Sequence, residues 1–570
     1  MIWYLESPER FRHERQQLEL LAARAPWLLI TKWHVDADLR LTVDAEIEHG
    51  GRTWPISLRF PNHFPFSPPV VMPRDDTERW SLHQYGPGGE LCLEYGADNW
   101  DRTISGRMML ESAHRLLAGE SPTPDGPAGR LPSRHSTTLG QVLRGSRWRL
   151  VLTAFSQGFL NAIPVGTVLH GQGTVSFREE MVLYTIRSWG SDPECADPTH
   201  PVSLRQENHD RPVMFVRLPD GEAWPRTDVS ENFRADLAAN GAEVPPAGCV
   251  VLVARGKLRR GYSAWDQTVQ SIDVVSADPS GRRLDADHGS LSSRRVAVVG
   301  CGSLGSKVAV SLARSGVGNF LLVDDDILLP ENLVRHELDW REVGTHKTQS
   351  VARRIDLVNP SATVVTRQHR LGGQEASGSV ETLMTALAEC DLIVDASATP
   401  EVFNYLSAAT EVGKTSMIWA EVYGGGIGGL VARHRPGKEP EPALMRRAIE
   451  NWCAEHALPI ERHPSHYESG AGTSTMVADD ADVAVIAAHA ARFAIDALIP
   501  REPSIFPHSA YFVGLGPGWI FSQPFETHPV NVGAPSESDR PPNLDAEEAA
   551  DERARVVRIF LGTANGIAAS

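Results

Sequence analysis

Hydrophobic and polar positions alternate along this chain in three distinct ways. Residues 8–24 (PERFRHERQQLELLAAR) place apolar side chains at helical spacing, which predicts an amphipathic helix. Further along, LTVDAEIEHGGRTWPISLRF (41–60) alternates on either side of Gly50-Gly51 and predicts two strands joined by a tight turn. Between residues 145 and 275 the pattern is short strand-like runs, such as RPVMFVRL before the turn PDG, and GCVVLVARG. From 294 the period changes again. RRVAVVG, CGSLG, SKVAVSLARSG and NFLLVDDD read strand, Gly-rich turn, helix beginning near Ser306, strand: a βαβ unit, and so a mostly parallel sheet.

Three stretches interrupt these patterns: 120–138, rich in Pro, Gly, Ser and Thr, then 276–293 and 528–545. The last is followed by a charged helix, AEEAADERARVVRIF. The division expected is a domain over 1–120, a linker over 121–140, a middle domain over 141–285 with no motif that carries chemistry, a nucleotide-binding domain over 286–535, and a tail over 536–570. At 570 residues the chain is long enough for several independent cores. Its 55 basic and 72 acidic residues give a net charge of −17, which disfavours nucleic acid or an anionic membrane as the main partner. No apolar run reaches the ~18 residues of a membrane span, and the N-terminus lacks a signal-peptide pattern. The cysteines, at 92, 195, 249, 301, 390 and 453, form no C-x-x-C pair, so neither a zinc site of that spacing nor a disulfide scaffold is expected. These features predict a soluble cytoplasmic protein with reduced thiols.

The chemistry begins at GCGSLG. Gly300, Gly302 and Gly305 fit G-x-G-x-x-G between a strand and a helix, where backbone amides approach a phosphate. Asp324, at the end of the second strand, is placed to accept hydrogen bonds from a ribose; Asp325 and Asp326 follow it. A dinucleotide dehydrogenase and an ATP-using enzyme share this much. Arg335 in NLVRH, Lys347 in VGTHK and Asp395 in LIVDAS separate them. Taken singly, such residues are more often surface charges. Together, at strand and helix ends, they suit cleavage between α- and β-phosphates: Arg and Lys neutralise charge, and the Asp holds Mg²⁺.

The series VAVVGCGSLGSKVAVSLARSGVG, LLVDDD, NLVRH, VGTHK, LVNP and DLIVDAS resembles the ubiquitin-activating, ThiF-like adenylating enzymes over roughly 294–500. The resemblance implies that Gly300, Gly302 and Gly305 bind ATP phosphates and that Asp324 and Asp326 bind the nucleoside side. It further implies that Arg335 and Lys347 contact the triphosphate, that Asp395 coordinates Mg²⁺, and that the substrate is a protein's C-terminal carboxylate. Such enzymes often borrow an Arg from a dimer partner; Arg282 and Arg283 stand where one could sit, but read more readily as linker charges. The family often carries a cysteine ahead of a helix like VAVIAAHAARFAIDAL. Here Ala471 occupies that place, so the thioester step there is absent, served by another thiol, or removed by substitution. Cys453 is the nearest thiol and reads as a buried one, as do Cys301 and Cys390.

Cys92 lies in a different setting, the polar GPGGELCLEYGADNW, some 25 residues after FPFSPPVV. Residues 5–120 resemble ubiquitin-conjugating enzymes, which implies that Cys92 accepts an acyl group and that Trp100 packs beside it. The His-Pro-Asn of eukaryotic members is here His83-Gln84-Tyr85, so the Asn that steadies the oxyanion is missing; Asn99 is a candidate substitute, and His83 reads as a loop organiser. The expected architecture is multidomain α/β: an N-terminal α+β ubiquitin-conjugating fold, a middle mixed β-rich domain and a C-terminal Rossmann-like ThiF adenylation domain. That layout resembles the CD-NTase-associated protein 2 family of type II CBASS antiphage operons. It implies a cGAS-like CD-NTase C-terminus as substrate, target-protein lysines as acceptors, ATP and Mg²⁺ as cofactors, and a homodimer through the adenylation domain. Two other readings stay open: a ThiF/MoeB-like adenylyltransferase of a sulfur carrier or ubiquitin-like protein, and a non-catalytic or NAD-binding Rossmann protein.

Overall fold

The computed structural model describes the chain except for residues 1, 75–78, 82, 87, 121–137, 144, 191–194, 205–208, 266, 278–283, 373–376, 424–425, 457–477, 500, 536–544 and 568–570. Expectations placed on Arg282, Arg283 and Ala471 lie outside the described residues. The chain forms two compact units, 1–145 and 146–570.

In the first unit β1 (Leu28–Val35), β2 (Leu41–His49), β3 (Arg52–Arg59) and β4 (Val70–Pro73) form an antiparallel meander in sequence order. Gly50 and Gly51 both have positive φ, +59° and +79°, as a two-residue hairpin turn matching strand twist requires. Val43, Ala45 and Ile47 of β2 and Ile56 and Leu58 of β3 point to one face. They pack with Leu18 of the helix Pro8–Arg24 and with Leu110 and Leu117 of the helix Gly106–Glu120. The carboxylate of Glu14 is buried between these helices. It accepts the Gly106 N–H at 2.8 Å and pairs with Arg10, which resolves an otherwise costly charge in the core.

The second unit opens with a closed barrel of β5 (Trp148–Leu152), β6 (Val168–Arg178), β7 (Met181–Trp189), β8 (His209–Leu218), β9 (Cys249–Arg255), β10 (Leu258–Trp265) and β11 (Thr268–Ser276). Its order is β10-β11-β5-β7-β6-β8-β9. Val213, Phe215, Val250 and Leu252 join one buried cluster, while the alternating Met214, Val216, Val251 and Val253 join another that includes Phe233 and Leu237 of the helix Ser230–Ala238. Both faces of β8 and β9 are therefore covered, which explains why those strands read as continuous apolar runs.

The rest is an eight-stranded sheet of β12 (Arg295–Val299), β13 (Asn319–Val323), β14 (Thr363–Arg367), β15 (Leu392–Asp395), β16 (Ser416–Tyr423), β17 (Gly428–His434), β18 (Ala510–Gly514) and β19 (Thr527–Pro529). The order is β14-β13-β12-β15-β16-β17-β18-β19; the first five strands are parallel and the others antiparallel. Alternation again sorts the two faces. Val296 and Val298 pack with Val308, Val351 and Ile486 of the helices Ser303–Arg314, Lys347–Val358 and Asp480–Leu498. Ala297 and Val299 face Leu383, Phe403 and Met445 of Ser377–Ala388, Pro400–Gly413 and Pro442–Glu455.

One buried ion pair anchors the antiparallel half. Arg433 of β17 is fully buried; it bonds Asp496 and donates to Ser504 Oγ at 2.9 Å and the Phe506 carbonyl at 3.0 Å. Asp496→Ala would leave that guanidinium without its counter-charge, so a loss of about 3–5 kcal/mol in urea unfolding is expected.

Candidate functional site

In the parallel half, the chain leaves β12 for β13 on one side and returns through β15 on the other. Between the carboxyl ends of β12 and β15 lies the crevice that such a reversal creates. Pairing puts Val299 opposite both Val323 and Asp395, so the residues after the three strands share one level. Gly300 takes φ +88°, and a Cβ there would meet Ala396 and Ser397 backbone at 2.8 Å. A Cβ on Gly305 would stand 1.8 Å from the Gly300 carbonyl. At Gly302 it would meet nothing within 4 Å, so the turn is closed on the sheet side and open where an anion would approach. Gly302 is also the N-cap of the helix Ser303–Arg314. The helix thus begins three residues before the expected Ser306, because the left-handed Gly300 completes the turn within one residue.

Asp324 follows β13 and locks this turn. Its carboxylate accepts the Cys301 N–H at 2.6 Å and the Asp326 N–H at 2.8 Å. Burial pushes its carboxyl above the usual range, against those two bonds. Asp326 is exposed and pairs with the ammonium of Lys347, which is buried at the first turn of its helix. The Lys347 N–H also donates to the Asp326 carbonyl at 3.0 Å. Arg335 is half-buried on the loop after the short helix Pro330–Val334.

Asp395 ends β15 and is 5% exposed. Burial raises its carboxyl to about 6, opposed by bonds from the Ser397 hydroxyl (2.6 Å) and N–H (3.0 Å); the charge of Glu421 raises it further. Both bonds fall on Oδ1. Asp395 opens onto a pocket with Thr399, Phe403, Trp419, Glu421 and Arg446, the last lying over the Phe403 ring at 4.7 Å. A buried carboxylate that ionises reluctantly, beside an open glycine cradle, fits a divalent cation carried in with phosphates.

Sequence reasoning overlooked His336, though it closes the quoted NLVRH. It is buried. Its Nδ1 accepts the Leu338 N–H at 3.2 Å, so the proton must reside on Nε2, which donates to the Cys301 carbonyl at 2.9 Å. The neutral ring thereby ties the glycine turn to the following loop. Burial pushes its pKa down to about 4. His336→Ala would orphan a carbonyl inside the turn and cost about 1–3 kcal/mol. An unfolded histidine takes its proton near 6.5 and this one near 4. The stability that neutral His336 contributes is therefore complete above about pH 6.5 and lost as pH falls toward 4. Urea midpoints across that range, with and without the substitution, measure it.

In the first unit Cys92 is half-buried, and burial raises its thiol. Trp100 donates to the Pro65 carbonyl at 2.8 Å and its ring lies 6.2 Å from Phe64. His83 Nδ1 meets Glu120 at 2.7 Å, a link between the loop and the helix end. Asn99 donates to the Glu94 carbonyl at 2.9 Å and accepts the Gly96 N–H at 2.8 Å; its amide closes that turn. It is therefore not a free stand-in for the missing oxyanion amide. Cys249, Cys301, Cys390 and Cys453 are buried.

Residues 284–509 match the ThiF family model. The crevice thus belongs to a ThiF-like, Rossmann-type adenylation domain. Over 476 residues the chain is 28% identical to the uncharacterized protein y4qC of Sinorhizobium fredii, covering 74% of this chain and 79% of that one. It is 28% identical to the ATP-dependent ubiquitin transferase-like protein Cap2 of Pseudomonas aeruginosa, over 27% of this chain and 28% of the relative. It is 32% identical to the sulfur carrier protein ThiS adenylyltransferase of Escherichia coli, over 27% of this chain and 56% of that protein. The chain therefore spans most of the first relative and less than two thirds of the other two. Among the described residues no helix is long and apolar enough to cross a membrane.

Proposed function

We propose that the ThiF-like domain activates the C-terminal carboxylate of a protein by adenylation and that Cys92 then carries the acyl group to target lysines. The observation that supports the first half is the convergence at one sheet edge of the open Gly300–Gly305 turn, Asp324 and Asp395, with a pocket beside Asp395. ATP enters as substrate. The Ser303–Arg314 helix N-terminus and the amide edge of the turn receive its phosphates, and Asp324 faces the ribose. Asp395 would hold Mg²⁺, which would supply charge neutralisation at the phosphates. The carboxylate attacks the α-phosphorus, a P–O bond to the β-phosphate breaks, and pyrophosphate leaves. The acyl-adenylate is the electrophile that the carboxylate was not. Arg335 and Lys347 steady the leaving charge, Lys347 after exchanging its Asp326 partner for phosphate.

The second half rests on the α+β meander of the first unit, on the half-buried Cys92 set between the core residues Leu91 and Leu93, and on the ubiquitin transferase-like relative. Residues 1–120 would be a ubiquitin-conjugating fold. Thiolate attack on the activated acyl group gives a thioester on Cys92, and a lysine amine then displaces the sulfur to form an isopeptide bond. Joining both steps on one chain raises the effective concentration of thiol and acyl donor. The substrate proposed is the C-terminus of a cGAS-like CD-NTase, with dimerisation through the ThiF-like domain. The ThiS adenylyltransferase relative favours a second reading, adenylation of a small carrier without conjugation.

The experiment is Mg-ATP–pyrophosphate exchange with a candidate CD-NTase, intact or lacking its last residues. Exchange that needs the intact tail supports the reading. Tight NAD(H) binding with no exchange would overturn it.

A further inference from the structure

We infer that the Tyr85 hydroxyl is the catalytic hydrogen-bond donor to the Cys92 sulfur, in the place where an amide was expected; this rests on Cys92 being the acyl carrier. The backbone sets the geometry. Gln84 and Leu91 form an antiparallel bridge, Tyr85 N–H donates to the Glu90 carbonyl at 2.9 Å, and Cys92 N–H donates to the His83 carbonyl at 2.6 Å. Register then places His83, Tyr85, Glu90 and Cys92 on one face, with Tyr85 and Cys92 as a diagonal pair within reach of an aromatic side chain. The connection is tightly specified: Gly86 and Gly88 have positive φ, and a Cβ on Gly89 would stand 2.0 Å from the Tyr85 carbonyl.

The neighbouring polar side chains are engaged elsewhere. Gln84 accepts the Trp80 N–H at 2.8 Å and donates to the Gly89 carbonyl at 3.0 Å. His83 is held by Glu120, and Asn99 by its own turn. The Tyr85 hydroxyl is instead the side-chain donor whose influence lowers the Cys92 thiol against burial, and its ring is 67% exposed and so open to an incoming tail. Burial, then the Cys92, Glu90 and Asp98 charges, raise the phenol above its usual value, so it stays a donor at neutral pH. On the sulfur the bond opposes burial and the Asp98 charge, which both favour the thiol.

The bond acts at both ends of the cycle. As Cys92 thiolate attacks, its C–S bond forms and the previous leaving group departs. As lysine nitrogen attacks, the C–N bond forms, the C–S bond breaks, the sulfur leaves as thiolate against the Tyr85 O–H, and the amine proton passes to water. Tyrosine keeps its own proton throughout.

The test uses the full chain with Tyr85→Phe, Cys92 loaded from a synthetic peptide thioester and discharged onto free lysine, alongside the pH dependence of Cys92 alkylation by iodoacetamide. Discharge roughly tenfold slower and an alkylation midpoint about one pH unit higher are expected for one lost bond to a charged sulfur. Discharge within twofold of the unaltered chain overturns the inference. So does slower discharge with an unchanged alkylation profile, which marks a structural role. If Cys92→Ala still yields conjugates, the acyl-carrier reading itself fails; that result is separate from either outcome for Tyr85.

Discussion

Asp395→Asn is expected to lower ATP–pyrophosphate exchange by about 10²–10³-fold, the weight of one preorganised charge at a transferring phosphate. Asparagine has the same shape and can still accept from the Ser397 hydroxyl and N–H, so the turn after β15 survives. What disappears is the negative charge at the buried end of β15. Burying that charge is already unfavourable, as its rise to about 6 shows, so the neutral amide leaves thermal stability equal or improved. The variant thus separates catalysis from folding. Exchange within threefold of the original would show that Asp395 does not serve the phosphates.

Cys92→Ala is expected to abolish covalent conjugates to target lysines while leaving ATP–pyrophosphate exchange within about twofold. The chemistry divides there because adenylation needs no thiol, whereas the isopeptide step needs a sulfur leaving group. Cys92 is half-buried, so the exchange leaves only a small gap and little change in stability. Gel analysis of partner-derived adducts with and without Cys92 gives the answer. Persistent conjugates would move the acyl carrier to another thiol. Full exchange with no conjugates in either protein would favour the sulfur-carrier reading.

Much of the fold was legible because local pattern and tertiary role coincided. The βαβ unit at 294–326 places apolar strands, a glycine turn and an amphipathic helix in an order that has few alternatives. The helix Pro8–Arg24 and the Gly50-Gly51 hairpin were equally plain. Barrel closure was not. It depends on β5 lying parallel to both β7 and β11, and on β8 lying parallel to β9, long-range facts that no window of sequence contains. The site divides the same way. Gly300, Asp324 and Asp395 sit at strand ends that the pattern locates, and Gly302 and Gly305 at the start of the helix that follows the turn. His336 acts through a hydrogen bond to Cys301, 35 residues earlier, and only the folded loop brings them together. Arg446 and Glu421 reach the Asp395 pocket from a distant helix and from β16, without any motif around them. Tyr85 stands where family comparison expected an amide, and only the Gln84–Leu91 bridge aims it at Cys92.

The most direct measurement is intact-protein mass spectrometry of the full chain after incubation with Mg-ATP and a CD-NTase partner. A partner-sized adduct on Cys92 that hydroxylamine removes, and that neither Asp395→Asn nor Cys92→Ala forms, is the predicted result. ATP turnover to AMP with Cys92 unmodified at every time point would contradict the account.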